Sequence, residues 1–465
     1  MTRPFFLSNS QAEQVHQATL EVLEQTGIIL DNEEAESLLL ASGAKKDGNR
    51  ITIPEEIVEK ALSEINHAIT IYDRNGNPAL ELDNGCNYFG PGSDAMYQRD
   101  ITTGKIRESR IEDVSYNVKL ADALGFDFVM LMALPRELDK DMLYPTIFAE
   151  MARNTTRPIV TTCVTLEDVK HIHQISQIIT GENGSPKPFY IAYLEPLSPL
   201  IFDKVGVDKL PYCSEHEIPF VIAAGATSGI LAPVTPEGGV VQGGAESLAG
   251  LVIAFMKNPK VKFIYGANTS SADMRTGFVC YGAGEWFRTV AMYADMGKYY
   301  NLPSWGTAGC TDAMEIDGQA AWEAYRGIMM AIQSQSSLVH DMGYMCFGEL
   351  YDPKMLVLVM EMLKEAKHLL EPADLTEEAL SVRVIHEVAT TTSFFLSHPD
   401  TAKNHQKRIW NSKLINRSKI GQPYQPQADR LNNRVIELMS DHKAEPLELS
   451  RDKIITQYLD SIPSL

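Results

Sequence analysis

The sequence lacks most of the marks that would narrow its class at once. Its six cysteines (Cys86, Cys163, Cys213, Cys280, Cys310 and Cys346) lie far apart, with no CxxC pair. They read as free thiols in a reducing cytoplasm and offer no metal-ligand spacing, so no metal site is expected. His171 and His173 sit two apart in a helical stretch and face apart, which makes chelation there unfavourable. No apolar run approaches the ~20 residues of a membrane helix, and the opening MTRPFFLSNSQAEQ has no apolar signal core. No GxGxxG opens the first crossover, which weighs against a dinucleotide fold. Positive charge is also in short supply. Against 61 Asp and Glu stand 41 Lys and Arg, for a formal charge of −20 with the acids spread along the chain. Nucleic acid would be repelled. A soluble chain with no membrane and no nucleic-acid partner is expected.

What is present is a large apolar inventory: 44% of 465 residues, enough for one large α/β domain with additions, or two domains. Residues 1–116 read as an N-terminal extension. Helical spacing runs through residues 10–41, a second helix starts at Pro54, and Asn75-Gly76 signals a hairpin. From residue 117 a strand–helix phrase repeats. The strands fall at 126–131, 157–162, 188–193, 219–224, 261–266, 302–307 and 337–342, with an indistinct eighth near 385–397. Continuous apolar strands joined by helical crossovers imply a parallel sheet covered on both faces. Near-eightfold repetition implies a TIM (β/α)8 barrel over 117–400, carrying the N-terminal helical/β extension and a C-terminal helical tail at 401–465. The stretch 404–422 of that tail is locally basic, and a solvated helix is its plainest reading.

Barrel active sites form at the C-terminal ends of strands. Such ends carry His340 and Asp341, an ionisable pair where a buried strand stops, and also Thr161, Thr162, Tyr193, Glu195 and Gly225. Nearby aromatic candidates are Tyr97, Tyr265, Trp286, Phe287, Trp305, Tyr344 and Phe347, and a further acid is Asp94.

Several segments resemble the trimethylamine:corrinoid methyltransferase superfamily. They are GPGSDAMYQRD (90–100), YLEPLSPL (193–200), GATSGILAPVTPEGGVVQGGAESLAG (225–250), TAGCTDAMEIDGQAAWE (307–323), HDMGYMCFGELYDPKMLVLVMEML (340–363) and FFLSHPDTAKNHQKRIWNSKLINRS (394–418). The order is kept and the resemblance runs almost end to end. It implies a TIM barrel that moves a methyl group to the Co(I) corrinoid of a separate corrinoid protein. The chain itself would bind no cofactor tightly, since the partner supplies the cobalamin. The family's trimethylamine enzymes carry pyrrolysine in the region matching GTAGCTDA, whereas this chain has the ordinary residues Gly309, Cys310 and Thr311. The resemblance is therefore to members lacking pyrrolysine. These act on quaternary amines: glycine betaine first, with proline betaine, carnitine or γ-butyrobetaine as alternatives. A non-catalytic quaternary-amine-binding barrel is the remaining reading, and a homo-oligomer is expected.

The chemistry agrees with ordinary residues. A quaternary ammonium leaves as a neutral tertiary amine, so no proton need be delivered, and a cation with no N–H is best held by aromatic faces. The sequence reading thus assigns catalysis to His340 and Asp341. It assigns substrate binding to Asp94, Tyr97, Tyr193, Glu195, Trp286, Trp305, Tyr344 and Phe347. For a betaine carboxylate it offers His340, Arg288, or the glycine-rich helix starts near Gly243 and Gly282.

Overall fold

The computed structural model describes residues 6–181, 187–391 and 394–463. Eight short parallel strands form a closed ring: β1 (Tyr88–Pro91), β2 (Val129–Met130), β3 (Ile159–Thr162), β4 (Tyr190–Leu194), β5 (Phe220–Ile222), β6 (Phe263–Ile264), β7 (Trp305–Thr307) and β8 (Leu338–Met342). β2 to β6 pair in sequence order. A Tyr265–Ser304 bridge joins β6 to β7, β7 pairs with β8, and β8 pairs with β1. The ring closes where Asp127 N–H donates to the Phe89 carbonyl at 2.9 Å and Phe89 N–H to the Asp127 carboxylate at 2.8 Å. Each strand of the ring thus has a neighbour on both sides.

All seven firmly expected strands are present. The eighth is corrected. Residues 385–397 do not form a strand: Val382–Thr391 is helical, Phe395–Ser397 is a 3-10 turn, and residues 392–393 lie outside the described residues. The missing position is filled by β1, which lies in the segment read as an extension. Gly90 makes that placement possible, because a Cβ there would lie 2.2 Å from the Phe128 ring.

Eight helices follow the strands: α1 (Ile111–Leu124), α2 (Lys140–Asn154), α3 (Leu166–Thr180), α4 (Lys209–Glu215), α5 (Pro236–Lys257), α6 (Gly284–Tyr299), α7 (Gly318–Ser334) and α8 (Pro353–Leu369). Residue types explain their ends. Thr165 and Asp168 form a capping box on α3, and left-handed glycines end α1 at Gly125 and α3 at Gly181. Against the expectation that no apolar stretch reaches membrane length, α5 is long and apolar enough to span a membrane, but 83% of its apolar window is buried. It packs on the N-terminal helices and α6 and is a core helix of the barrel's outer layer.

The barrel interior is plugged at its N-terminal end. The hairpin Ile69–Tyr72/Pro78–Leu82 places Ile69, Ile71, Leu80 and Leu82 against Phe128, Met130, Val160, Ile191, Val221 and Ile264. Its turn is the expected Asn75-Gly76, with Gly76 at φ +83° and the Asp73 carboxylate accepting from Asn75 and Asn77 N–H. With that end closed, the open end lies at the strand C-termini. After the barrel, helix Gln427–Asp441 packs on α8 and α1, and Leu449–Ser461 packs on α3 and α2.

Candidate functional site

A cavity of about 180 Å³ lies at the C-terminal ends of the strands. It is lined by Ser93, Asp94, Thr162, Tyr193, Glu195, Gly225, Thr227, Asn268, Ser270, Val279, Tyr281, Trp286, His340, Asp341 and Tyr344. Tyr193 lies at the end of β4 and Glu195 directly past it, and both line the cavity. His340 and Asp341 are adjacent, so a regular strand would point them to opposite faces. Here the pairing of β8 with β1 shifts register between Val339 and Met342, and Asp341 takes φ +69°. An irregularity of this kind re-aims side chains, and both residues face the cavity. Left-handed backbone at a non-glycine costs on the order of 1–3 kcal/mol, and such strain clusters at functional sites.

The pair has a defined proton arrangement. His340 Nδ1 lies 2.9 Å from the Gly306 carbonyl, which only accepts, so Nδ1 carries a hydrogen. His340 Nε2 then faces Asp341 Oδ2 at 3.4 Å, and Thr307 Oγ1 donates to the same oxygen at 2.5 Å. Burial pushes the Asp341 carboxyl up, the His340 and Thr307 contacts pull it down, and Asp94 pushes it up further.

Glu195 is raised to about 7, by burial first and Asp94 second, while a hydrogen bond with Tyr193 opposes the rise. Protein surrounds the residue, yet its side chain is open to the cavity space. Asn268 Nδ2 donates to Tyr193 Oη at 2.5 Å and fixes that ring. Ser93 Oγ donates to Asp94 Oδ1 at 2.6 Å. Aromatic rings share the lining. The Tyr281 ring lies 4.3 Å from Trp286 and 5.6 Å from Tyr344, edge-on to each. Two buried donors of lining residues, Thr162 Oγ1 and Trp286 Nε1, have no protein partner.

Of the residues singled out in the sequence, His340, Asp341, Asp94, Tyr193, Glu195, Trp286 and Tyr344 converge on this cavity. Three of the residues assigned to substrate binding do not line it. Trp305 is fully buried beneath, with its ring 4.5 Å from His340 and 5.6 Å from Tyr193. Its position inside β7 turns it into the barrel interior. Tyr97 pairs with Leu350 in a small sheet outside the ring, and Phe347 is exposed against Phe278 at 5.6 Å. Arg288 forms a surface ion pair with Glu237. Gly243 lies inside α5, buried against Tyr293, and is not a helix start. Tyr281, Asn268, Ser270 and Thr227 were not singled out. They arrive through a three-stranded sheet of Thr227–Ser228, Ser270–Ala272 and Val279–Cys280 that follows β5 and β6.

The trimethylamine methyltransferase family model matches residues 3–461. The chain belongs to this family. Among similar relatives, a glycine betaine methyltransferase of Desulfitobacterium hafniense (strain Y51) is 24% identical over 419 residues, covering 89% of this chain and 87% of that protein. The trimethylamine methyltransferase MttB of Desulfitobacterium hafniense (strain DSM 10664 / DCB-2) is 24% identical and covers 95% and 90%. The MttB of Methanosarcina thermophila is also 24% identical and covers 95% and 94%. The crystal structure of the Methanosarcina barkeri monomethylamine methyltransferase (MtmB) superposes with a TM-score of 0.51 at 11% identity, over 94% of this chain and 88% of that one, a likeness of fold. The chain is therefore a methyltransferase of the MttB family on a TIM barrel. The stretch GTAGCTDA (306–313) lies against Tyr281. Cys310 Sγ donates to the Tyr281 carbonyl at 3.4 Å, and Asp312 accepts from the Tyr281 and Gly282 N–H groups.

Proposed function

We propose that this MttB-family methyltransferase takes a methyl group from a quaternary ammonium compound and passes it to the Co(I) corrinoid of a separate protein. The observation that carries this reading is the meeting of Tyr281, Trp286, Tyr344 and Tyr193 with Asp94 and Glu195 around one small cavity. Each aromatic face is worth roughly 0.5–2 kcal/mol toward a cation, most where water is excluded. The cavity lies below the roughly 300–1,000 Å³ of ordinary ligand pockets, as suits a small head group.

Co(I) supplies the nucleophile: its electron pair forms the new cobalt–carbon bond, while the nitrogen keeps the pair of the broken C–N bond. No proton moves, and the leaving amine is neutral. The chain's part is to fix one N–CH₃ bond at the mouth and to keep water out. In this reading Asp94 and Glu195 balance the ammonium charge. His340 and Asp341 complete the lining, held by Gly306 and Thr307. The corrinoid is the partner's, and this chain holds none of its own. Exposed Leu231, Val234, Met274, Phe278 and Met314 on loops following β5, β6 and β7 support a docking rim for that partner. A reducing cytoplasm suits a Co(I) acceptor.

The test is methylcobalt formation followed by absorbance, with purified chain, a Co(I) corrinoid protein, glycine betaine, other quaternary amines and trimethylamine. Methylation from quaternary donors is expected. Methylcobalt with trimethylamine alone would overturn the proposal, and binding of quaternary amines without transfer would favour a non-catalytic binding barrel.

A further inference from the structure

A trimethylammonium donor carries either an uncharged or an anionic remainder, and the cavity wall distinguishes the two. Its lining holds three carboxylates, Asp94, Glu195 and Asp341, and no Lys or Arg. His340 is the one lining group able to carry positive charge, and both its nitrogens are engaged, Nδ1 by the Gly306 carbonyl and Nε2 by Asp341. Lys209 is buried nearby but does not line the cavity. Its Nζ donates to the Cys163 and Val164 carbonyls at 2.9 and 2.8 Å. Arg288 is held by Glu237 at the surface. A ligand carboxylate would therefore enter beside Asp94 and Glu195 with no Lys or Arg in the lining to meet it, since the nearby Lys209 charge already acts on Glu195 and its Nζ is held by two carbonyls, and like charges brought together in a partly dry site repel strongly. The unpartnered donors Thr162 Oγ1 and Trp286 Nε1 are neutral. A hydroxyl group adds no negative charge to this lining.

Resting on the quaternary-amine reading, we propose that the donor is a net cation: a trimethylammonium compound whose remaining substituent is an uncharged alkyl or hydroxyalkyl group. Zwitterions with a carboxylate close to the nitrogen are the poorer ligands.

The test uses the full-length protein with a matched pair, choline and glycine betaine, which differ only in a hydroxymethyl group against a carboxylate, plus tetramethylammonium. Calorimetry gives Kd without any corrinoid, and methylcobalt formation then gives turnover. Choline and tetramethylammonium are expected to bind at least about tenfold more tightly than glycine betaine, a gap of about 1.4 kcal/mol. Asp94→Asn should narrow that gap from both sides, with its thermal midpoint recorded to show that it folds. Glycine betaine binding as tightly as choline would overturn the charge rule and leave the quaternary-amine reading standing. Failure of all three to bind would overturn both. Choline binding tightly without methyl transfer would keep the charge rule and sink only the transfer reaction.

Discussion

The Asp312 carboxylate accepts the backbone N–H of Tyr281 at 2.7 Å and that of Gly282 at 3.0 Å. Burial raises this carboxyl to about 6, and those two N–H groups hold it from rising further. A residue outside this cavity's lining thus sets the position of Tyr281, which is part of it.

Replacing Asp312 by Ala removes a charged acceptor worth roughly 1.5–3 kcal/mol and frees Tyr281. The affinity for a quaternary ammonium should fall by roughly 2- to 30-fold, the worth of one aromatic face, and Tyr281→Ala should fall in the same range. Calorimetry checks both. Unchanged affinity in Asp312→Ala would mean that Tyr281 is not part of the cation wall.

Gly90 tests the closure of the barrel. With a Cβ due 2.2 Å from Phe128, Gly90→Ala must push β1 from β2. Overpacking of this kind costs typically 1–3 kcal/mol. Urea denaturation should show the loss, whereas an extension merely lying on the barrel would accept the methyl group within about 0.5 kcal/mol.

That strand also shows where the fold was legible and where it was not. The seven strands from Val129 to Met342 stand out as apolar runs between helical patterns. β1 has the sequence Tyr-Phe-Gly-Pro, and its glycine and proline read as a turn, because nothing local announces that Phe128 needs the space. At the site, strand-end logic found Tyr193, Glu195, His340 and Asp341, whose positions follow from the barrel itself. Loop residues are harder. Asp94 and Tyr344 reach the cavity while Tyr97 and Phe347 do not, since their directions depend on short strands after β1 and β8 that no periodicity marks, and Trp286 reaches it from the first turn of α6. Tyr281 was overlooked because CYGAG looks like a helix start. Its signal lay thirty-one residues on, in the Asp312 that pins it.

The His340–Asp341 pair gives a third expectation. Asp341→Asn keeps the size and an acceptor for Thr307 but removes the charge opposite Nε2. Turnover should fall by at least about tenfold, while the thermal midpoint moves by only a few degrees. Asp341→Gly relaxes the φ +69° backbone, yet it should lose as much turnover, because the carboxylate is gone. Full activity in either variant would make the pair a packing feature.

Glu195 should make binding and stability respond to pH in opposite directions. Its carboxyl is raised from the ordinary 4.5 to about 7, by burial and by Asp94. A cation is attracted by the ionised form, so affinity should rise as pH climbs from 6 to 8. Folding carries the other sign. Between 4.5 and 7 the unfolded chain has already released this proton while the folded chain keeps it, so raising the pH through that window favours unfolding. Glu246 is also raised to about 7 by burial and adds to the same decline, but it accepts from Leu200 N–H and Ser198 Oγ away from the cavity. The difference between the native chain and Glu195→Gln therefore isolates Glu195. The variant should gain thermal midpoint relative to the native chain at pH 8 but not at pH 5, and its affinity for tetramethylammonium should lose its dependence on pH. If both profiles survive the substitution, some other group titrates in the site, and Asp94 rather than Glu195 becomes the carboxylate that meets the ammonium.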